Sequence, residues 1–325
     1  MVALLMTANT SFAQHEPMRL MFYNTENLFD TIDNPLTSDE EFTPEGKNQY
    51  TSERYQTKLT NLSKVIDAAF EAENPDVLGL CEVENKAVVQ DLISKVNGAE
   101  RFQIVHHESN DQRGIDNALI YNSIRLHLIG EGVREIDLGK DERPTRPILW
   151  AHFKDIKSGN ELIVCINHWP SRYGGEDESR WKRAKASEVL ESLINELKWK
   201  YPKAQLVAMG DFNDHPDDES VKRLENCEKS SDACLVNMHK HLTSEGKGTH
   251  AYKDEWGVLD QMLVGQNVVG ATTGFSAIDN SGETVSFDWM MYESKDKKLF
   301  PSRTYGGAHY YGGYSDHLPI TLILE

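Results

Sequence analysis

The chain has 325 residues, of which 39% are hydrophobic and 26% charged, and its formal net charge is −18. This composition excludes a disordered or fibrous chain and fits a globular one of one large domain or two modest ones. The acidic balance argues against a protein that tracks along duplex nucleic acid through a basic groove, but not against a nuclease, because bound divalent cations would reverse the local potential.

Val2 to Met6 is a short apolar run, followed by Ser11-Phe12-Ala13-Gln14. With a small residue before Gln14, residues 1–13 read as a secretory signal peptide, although the usual positive start is missing. The expected location is therefore secreted or periplasmic. No later apolar run reaches the ~18 residues of a membrane span.

Arg19 to Tyr23 is the first strand expected, and helical spacing of Tyr55, Leu59, Leu62, Ile66 and Ala69 predicts a helix over 50–72. Val77 to Cys81 reads as a buried strand, and 86–96 as a helix ended by Asn97-Gly98. Strands follow at Phe102–His106, Ala118–Tyr121, Leu126–Ile136, Ile148–Phe153 and Leu162–Asn167, then a long helix over 178–199 closed by Pro202. Lys182, Arg183 and Lys185 are expected on that helix's solvated face. Gln205–Met209 is a strand, Pro216–Leu224 a short helix, and Leu259–Val264 and Leu318–Leu324 are the clearest later strands. The Gly-rich stretch Gly306 to Gly313 reads as a surface loop. Cys81 and Cys165 sit in apolar runs and read as core, whereas Cys227 and Cys234 are expected to form a local disulfide. Strands outnumber helices and are often adjacent in sequence, which favours mixed or antiparallel sheets covered by helices over a parallel Rossmann sheet.

Polar residues gather at the strand ends. Asn24 and Glu26 follow the first strand, Glu82 the second, Asn167 and His168 a third, and Asp211 and Asn213 a fourth, while Asp260 opens one strand and Asp316-His317 precedes the last. A strand end holds a side chain rigidly at the rim of a core. Carboxylate and amide oxygens suit Mg2+, Mn2+ or Ca2+, and the lack of a His/Cys cluster disfavours zinc. Phosphoester hydrolysis needs a cation on the phosphate oxygens, a group to orient or deprotonate water, and donors for the leaving oxygen. Glu26 reads as structural. Ser315-Asp316-His317 is not a hydrolase triad, because neighbours on an extended segment face opposite ways.

Leu206 to Asp214, with Gly210-Asp211-Phe212-Asn213 at its heart, resembles the GDFN motif of the endonuclease/exonuclease/phosphatase superfamily. Four more segments resemble its other motifs in order: Tyr23 to Phe29, Asp76 to Val83, Leu259 to Val264, and Ser315 to Ile320. The resemblance spans about 19 to 324. It implies a single domain over 19–325, a four-layered α/β sandwich with two mixed sheets face to face and helices outside. It implies a metal held by Glu82 with Asn24 and Asp316 nearby, water oriented or activated by Asp211 and Asn213, and a His317–Asp260 pair on the phosphate, with His168 beside it. Whether an Asp or a His is the base stays open. After His168-Trp169-Pro170 the chain departs from nuclease relatives, with Ser171-Arg172 where an Asn is common. Arg113 and Arg172 are expected to bind the phosphate or a second anionic group. The expected substrate is a nucleic acid or small phosphodiester, with a lipid, inositol or sugar phosphate as the alternative and a non-catalytic binding module as the reading from another class. No protein partner is predicted.

Overall fold

The computed structural model describes residues 16–71, 73–226 and 234–325. The expected leader, and Cys227 of the expected disulfide, lie outside the described residues.

The first sheet comprises β1 (Met18–Leu28), β2 (Val77–Val83), β3 (Phe102–His106) and β4 (Asp116–Asn122). The second comprises β5 (Leu126–Arg134), β6 (Ile148–Asp155), β7 (Glu161–His168), β8 (Gln205–Asp211) and β9 (Leu235–Asn237). A hairpin of β10 (His250–Tyr252) and β11 (Glu255–Gly257) precedes β12 (Asp260–Gly265), which joins the second sheet between β8 and β9. The first sheet is completed by β13 (Glu283–Thr284) and, after two hairpins, by the last strand. Those hairpins are β14 (Met291–Glu293) with β15 (Leu299–Pro301), and β16 (Tyr305–Gly306) with β17 (His309–Tyr310); the last strand is β18 (Ile320–Leu324). Each large sheet has six strands and mixes parallel with antiparallel pairs: β1 runs parallel to β2 and β7 to β8.

Among the described residues five helices cover the sheets: α1 (Ser52–Ala68), α2 (Lys86–Ile93), α3 (Glu176–Lys200), α4 (Glu219–Glu225) and the single turn α5 (His241–Ser244). The period-two alternation of β1 separates two cores. Leu20 and Phe22 meet Ile166, Val207, Met209 and Met262 between the sheets. Met21 and Tyr23 turn outward to Leu59, Leu62 and Ile66 of α1 and Val88, Val89 and Leu92 of α2. On the far side, Ile163, Cys165, Leu206 and Ala208 pack against Leu190, Leu193 and Leu197 of α3 and Leu224 of α4. The order helix, sheet, sheet, helix is the four-layered sandwich.

Two glycines let these layers close. A Cβ at Gly79 would stand 2.7 Å from the Ile166 side chain on the facing sheet, and one at Gly210 would stand 2.1 Å from the Asn167 carbonyl oxygen. The glycine of the GDFN motif is thus required by the close approach of β8 to β7.

Three expectations are corrected. The short helix begins at Glu219, because His215 to Asp218 form a turn in which Asp218 accepts the His215 N–H at 2.7 Å. The Gly-rich stretch is not a free loop: it begins with the β16–β17 hairpin, and Asn61 of α1 donates to the carbonyls of Gly312 and Gly313. Arg183 is fully buried rather than solvated, with Nε 2.5 Å from Asp214 and Nη1 2.8 Å from Ser179. Asp214 also accepts from Ser220 and Arg172, so this pair anchors the turn that follows Asp211. Removing one partner of a buried ion pair leaves the other charge uncompensated. Arg183→Met is therefore expected to lower unfolding stability by about 3–5 kcal/mol. A urea midpoint that moves by less than the equivalent of ~1 kcal/mol would show the pair to be dispensable.

Candidate active site

The carboxyl ends of β1, β2, β7 and β8 lie on one rim. In the second sheet the register sets His168 beside Asp211 and Asp211 beside Asp260, so these three side chains form a row across adjacent strands. In the first sheet Asn24 lies in β1, and Glu82 sits at a register break of β2 with φ of 60°. A bulge re-aims its residue, and a positive φ at a non-glycine residue stores strain of the kind found at functional sites. Ser315 ties the segment before β18 to this rim by donating to the Asn24 carbonyl at 2.7 Å.

Asp211 is held through both oxygens. Its Oδ2 accepts from Asn24 Nδ2 at 3.1 Å, and its Oδ1 from the Asn213 N–H at 2.9 Å. Asn24 Nδ2 also reaches Glu82 Oε1 at 3.4 Å, and Glu82 Oε2 accepts the Asn27 N–H at 3.0 Å. The Nε2 atoms of His168 and His317 each stand 3.8 Å from Asp211 Oδ2. Those two gaps are too long for direct hydrogen bonds, and a water bridging the groups would sit to one side of the line between them. His317 Nδ1 lies 2.7 Å from Asp260 Oδ2.

The charges follow from this packing. Burial raises the Asp211 carboxyl to about 7; His317 opposes the rise, and Asp260 and Glu82 add to it. Burial works against charge on His317, but Asp260 and Asp211 outweigh it and hold the imidazole well above its ordinary range. His168 is pushed well below that range by burial, then by Arg146 and Arg113, and is neutral. His250 lies tilted against His317 at 4.6 Å between ring centres, and burial, with His317 next, lowers it to about 4. The rim therefore presents one charged imidazole, two neutral ones and a carboxyl that titrates near neutrality.

Asn24, Arg172, Asp316, Asn213 and Arg113 each have partners within the protein. Asn24 was expected among the metal ligands, but its Oδ1 accepts the Glu26 N–H at 3.0 Å, which turns Nδ2 to the site. An amide NH2 is a donor and not a ligand. Arg172 was expected to meet the phosphate. It donates instead to the Asn213 carbonyl and to Asp214 and Asp218, and pairs with Glu176, so carboxylates of the protein already occupy it. Asp316 lies 2.7 Å from Arg303; burial works against its charge, but His317, His250, Arg303 and Lys58 outweigh it and hold the carboxyl below its ordinary range. Asn213 keeps φ of 52° and gives its side-chain N–H to the Trp169 carbonyl at 3.0 Å, so it shapes the turn that presents Asp211. Arg113 is half exposed and close enough to His168 to depress it.

Other site residues escaped the sequence reading. Arg146 is buried, donating to Asp111 at 3.0 Å and to the Trp169 carbonyl at 2.8 Å. Lys58 is buried with Nζ 2.6 Å from Thr304 and 3.9 Å from Glu26, whose carboxyl burial and Asp316 push up to about 7. Asp211, Asp260 and His317 have donor atoms within 4.8 Å of one another, the spacing of a metal group. The His317–Asp260 hydrogen bond accounts for two of the three, so we read it as a paired imidazolium beside a carboxylate.

A cavity of about 820 Å3 adjoins the rim, lined by Asn213, His215, His250, Tyr252, Lys253 and Trp256 among others. A second cleft, of about 470 Å3, lies at the opposite ends of the strands, and its charges are paired among themselves: Arg125 with Asp76 and Asp155, and Arg19 with Glu73.

A four-layered sandwich with carboxylates, amides and imidazoles converging between its sheets defines a phosphoesterase. The family model described as the Endonuclease/Exonuclease/phosphatase family matches residues 19–325, and the chain belongs to that family. It is an enzyme of phosphoester hydrolysis. Among solved structures, the human Nocturnin catalytic domain with bound sulfate is 17% identical with a TM-score of 0.57, covering 95% of this chain and 94% of that one. D. rerio TDP2 complexed with a single-strand DNA product is 13% identical with a TM-score of 0.59, covering 96% and 100%. The mannosyl-6-phosphatase of Bacteroides thetaiotaomicron VPI-5482 is 14% identical with a TM-score of 0.55, covering 95% and 99%. At these identities the likeness concerns the fold. The chain matches no curated protein. Among the described residues no helix is long and apolar enough to cross a membrane.

Proposed function

We propose that this chain is an exported, divalent-cation-dependent phosphodiesterase of nuclease type, acting on short or single-stranded substrates. The carrying observation is the Asp211 carboxylate, clamped through both oxygens and spaced 3.8 Å from two imidazoles. Glu82, with Asp316 nearby, would hold Mg2+ or Mn2+ through hard oxygen donors. When bound, the cation neutralises the phosphate oxygens. Asp211 takes the proton of the attacking water, and a carboxyl poised near neutrality suits that task. The His317 imidazolium, held by Asp260, donates to a non-bridging oxygen, and Asn24 Nδ2 and Arg113 add further donors. The P–O bond to the leaving group breaks, and the leaving oxygen gains a proton from solvent or from the acid that Asp211 has become.

The cavity beside Asn213 adjoins the reacting phosphate, with Tyr252 and Trp256 as stacking surfaces for a base or sugar. The charge of −18 counts against long duplex. A sugar phosphate is the second reading, since the same cavity would take a sugar. A panel of single-stranded and duplex oligonucleotides, a dinucleotide and a hexose phosphate decides between them. The primary reading requires the dinucleotide or the single strand to be turned over fastest; faster release of phosphate from the hexose phosphate would replace it with the second.

A cation should also leave a thermodynamic signature. Folding raises Asp211, so the folded protein binds more protons than the unfolded one up to about pH 7, and a cation held by neighbouring Glu82 would favour the ionised carboxyl. Buried His168 and His250 are lowered and tilt the overall stability the other way, so the cation-induced increment is the diagnostic quantity. Each pH unit below the Asp211 value is expected to cost about 1.4 kcal/mol of cation binding. The rise in melting temperature caused by Mg2+ should therefore be larger at pH 8 than at pH 5.5; equal rises would contradict ionised Asp211 beside the cation.

A further inference from the structure

One strand away from Glu82, a second polar group lies beneath the loop that carries Arg113. It consists of His106 at the end of β3, Glu108 in the following loop and Asp116 at the start of β4, with one donor atom from each within 4.8 Å of the others. The register places Asp116 opposite Val83, next to Glu82. The side chains of His106 and Asp116 are 3% and 2% exposed, and His106 Nε2 stands 3.0 Å from Asp116 Oδ2. That contact lacks hydrogen-bond geometry, and both atoms are buried without a hydrogen-bond partner. The other Asp116 oxygen accepts the Ser109 N–H at 2.8 Å. Glu108, 69% exposed, closes the group from the solvent side, with Oε1 3.8 Å from His106 Nδ1. Partial desolvation and then the Asp116 carboxylate push the Glu108 carboxyl upward.

Buried polar atoms are almost always partnered, so an imidazole nitrogen and a carboxylate oxygen that face each other unbonded call for a third body. Their spacing admits a shared cation. Two ligands at right angles, each about 2.1 Å from a cation, stand about 3.0 Å apart. An imidazole that ligates through its lone pair, with two carboxylates, also carries the charge that a divalent ion balances.

We propose that His106, Asp116 and Glu108 form a second cation site, separate from the catalytic rim, for a transition metal ion such as Zn2+, Mn2+ or Co2+. An imidazole among the ligands selects these over Mg2+ and Ca2+, and water completes the shell through the Glu108 side. The ion braces the 107–115 loop. That loop supplies Asp111, which holds Arg146, and Arg113, which stands near His168. The site thus positions two arginines of the rim and touches no reacting atom.

The full chain, stripped with a chelator and supplied with excess Mg2+ to fill the oxygen-rich rim, is titrated with Co2+ and followed by visible absorption and by metal content after dialysis. The expected result is one tightly bound Co2+ per wild-type chain. His106→Gln and Glu108→Gln should each weaken it at least about tenfold, and Glu82→Gln, which removes the proposed rim ligand, should leave it unchanged. Glu108 is exposed, so its variant folds as wild type, and circular dichroism checks this. Absence of bound Co2+ in the wild type, unchanged binding in the His106 or Glu108 variant, or loss in Glu82→Gln would overturn the second site. Failure of the phosphodiesterase reading would appear instead as inactivity with the Co2+ count intact.

Discussion

Asp211→Asn is expected to lower kcat on a phosphodiester by about 10^3- to 10^4-fold, with KM and fold little changed. The substitution keeps the shape and, with its oxygen at the Oδ1 position, the acceptor for the Asn213 N–H, but replaces Oδ2 by an NH2 that cannot take a proton. In that orientation the new NH2 also faces Asn24 Nδ2 with a second donor. Because burial already holds this carboxyl near 7, the wild-type rate should fall on the acid side as Asp211 keeps its proton. Single-turnover kinetics across pH check both points. A loss of less than about tenfold, or an unchanged acid limb in the variant, would remove Asp211 from the role of base.

The second large effect concerns the imidazolium. His317→Gln is expected to cost about 10^2- to 10^4-fold in kcat, and Asp260→Asn to approach it. Asp260 touches the site only through its 2.7 Å contact with His317, and no bond partners its other oxygen, so its part is to hold the charge on the ring. The two losses should therefore not add: the double variant is expected to be no slower than His317→Gln alone. Multiplied losses would mean that the residues act independently. The alkaline limb provides a separate readout, since a raised imidazole loses its charge only at high pH, and Asp260→Asn should bring that limb toward neutrality.

Much of this was legible in the chain. Short apolar runs ending in Asn24, Glu82, His168 and Asp211 marked strand ends, because local alternation and composition report burial and direction. The motif order carried the four-layered sandwich. What stayed hidden depends on partners far away in sequence. Lys58 is bonded to Thr304 across 246 positions and Arg146 to Asp111 across 35, and nothing near either residue separates a buried cation from a solvated one. Arg183 sits on a helix full of charge, and only its packing against Asp214 distinguishes it from Lys182 and Lys185. The donor role of Asn24 depends on a single N–H from Glu26, a residue in the left-handed region that no local pattern announces. His106 and Asp116 likewise meet only because β3 and β4 pair.

The central claim is cation-dependent phosphoester hydrolysis at the Asp211 rim. Its most direct measurement is hydrolysis of bis-p-nitrophenyl phosphate by chelator-stripped wild-type protein, with Mg2+ or Mn2+ added back, beside Asp211→Ala treated identically. The account predicts no rate for the stripped protein, recovery with either cation in the wild type, and none in the variant. Turnover that survives chelation, or recovery that is equal in Asp211→Ala, would contradict it.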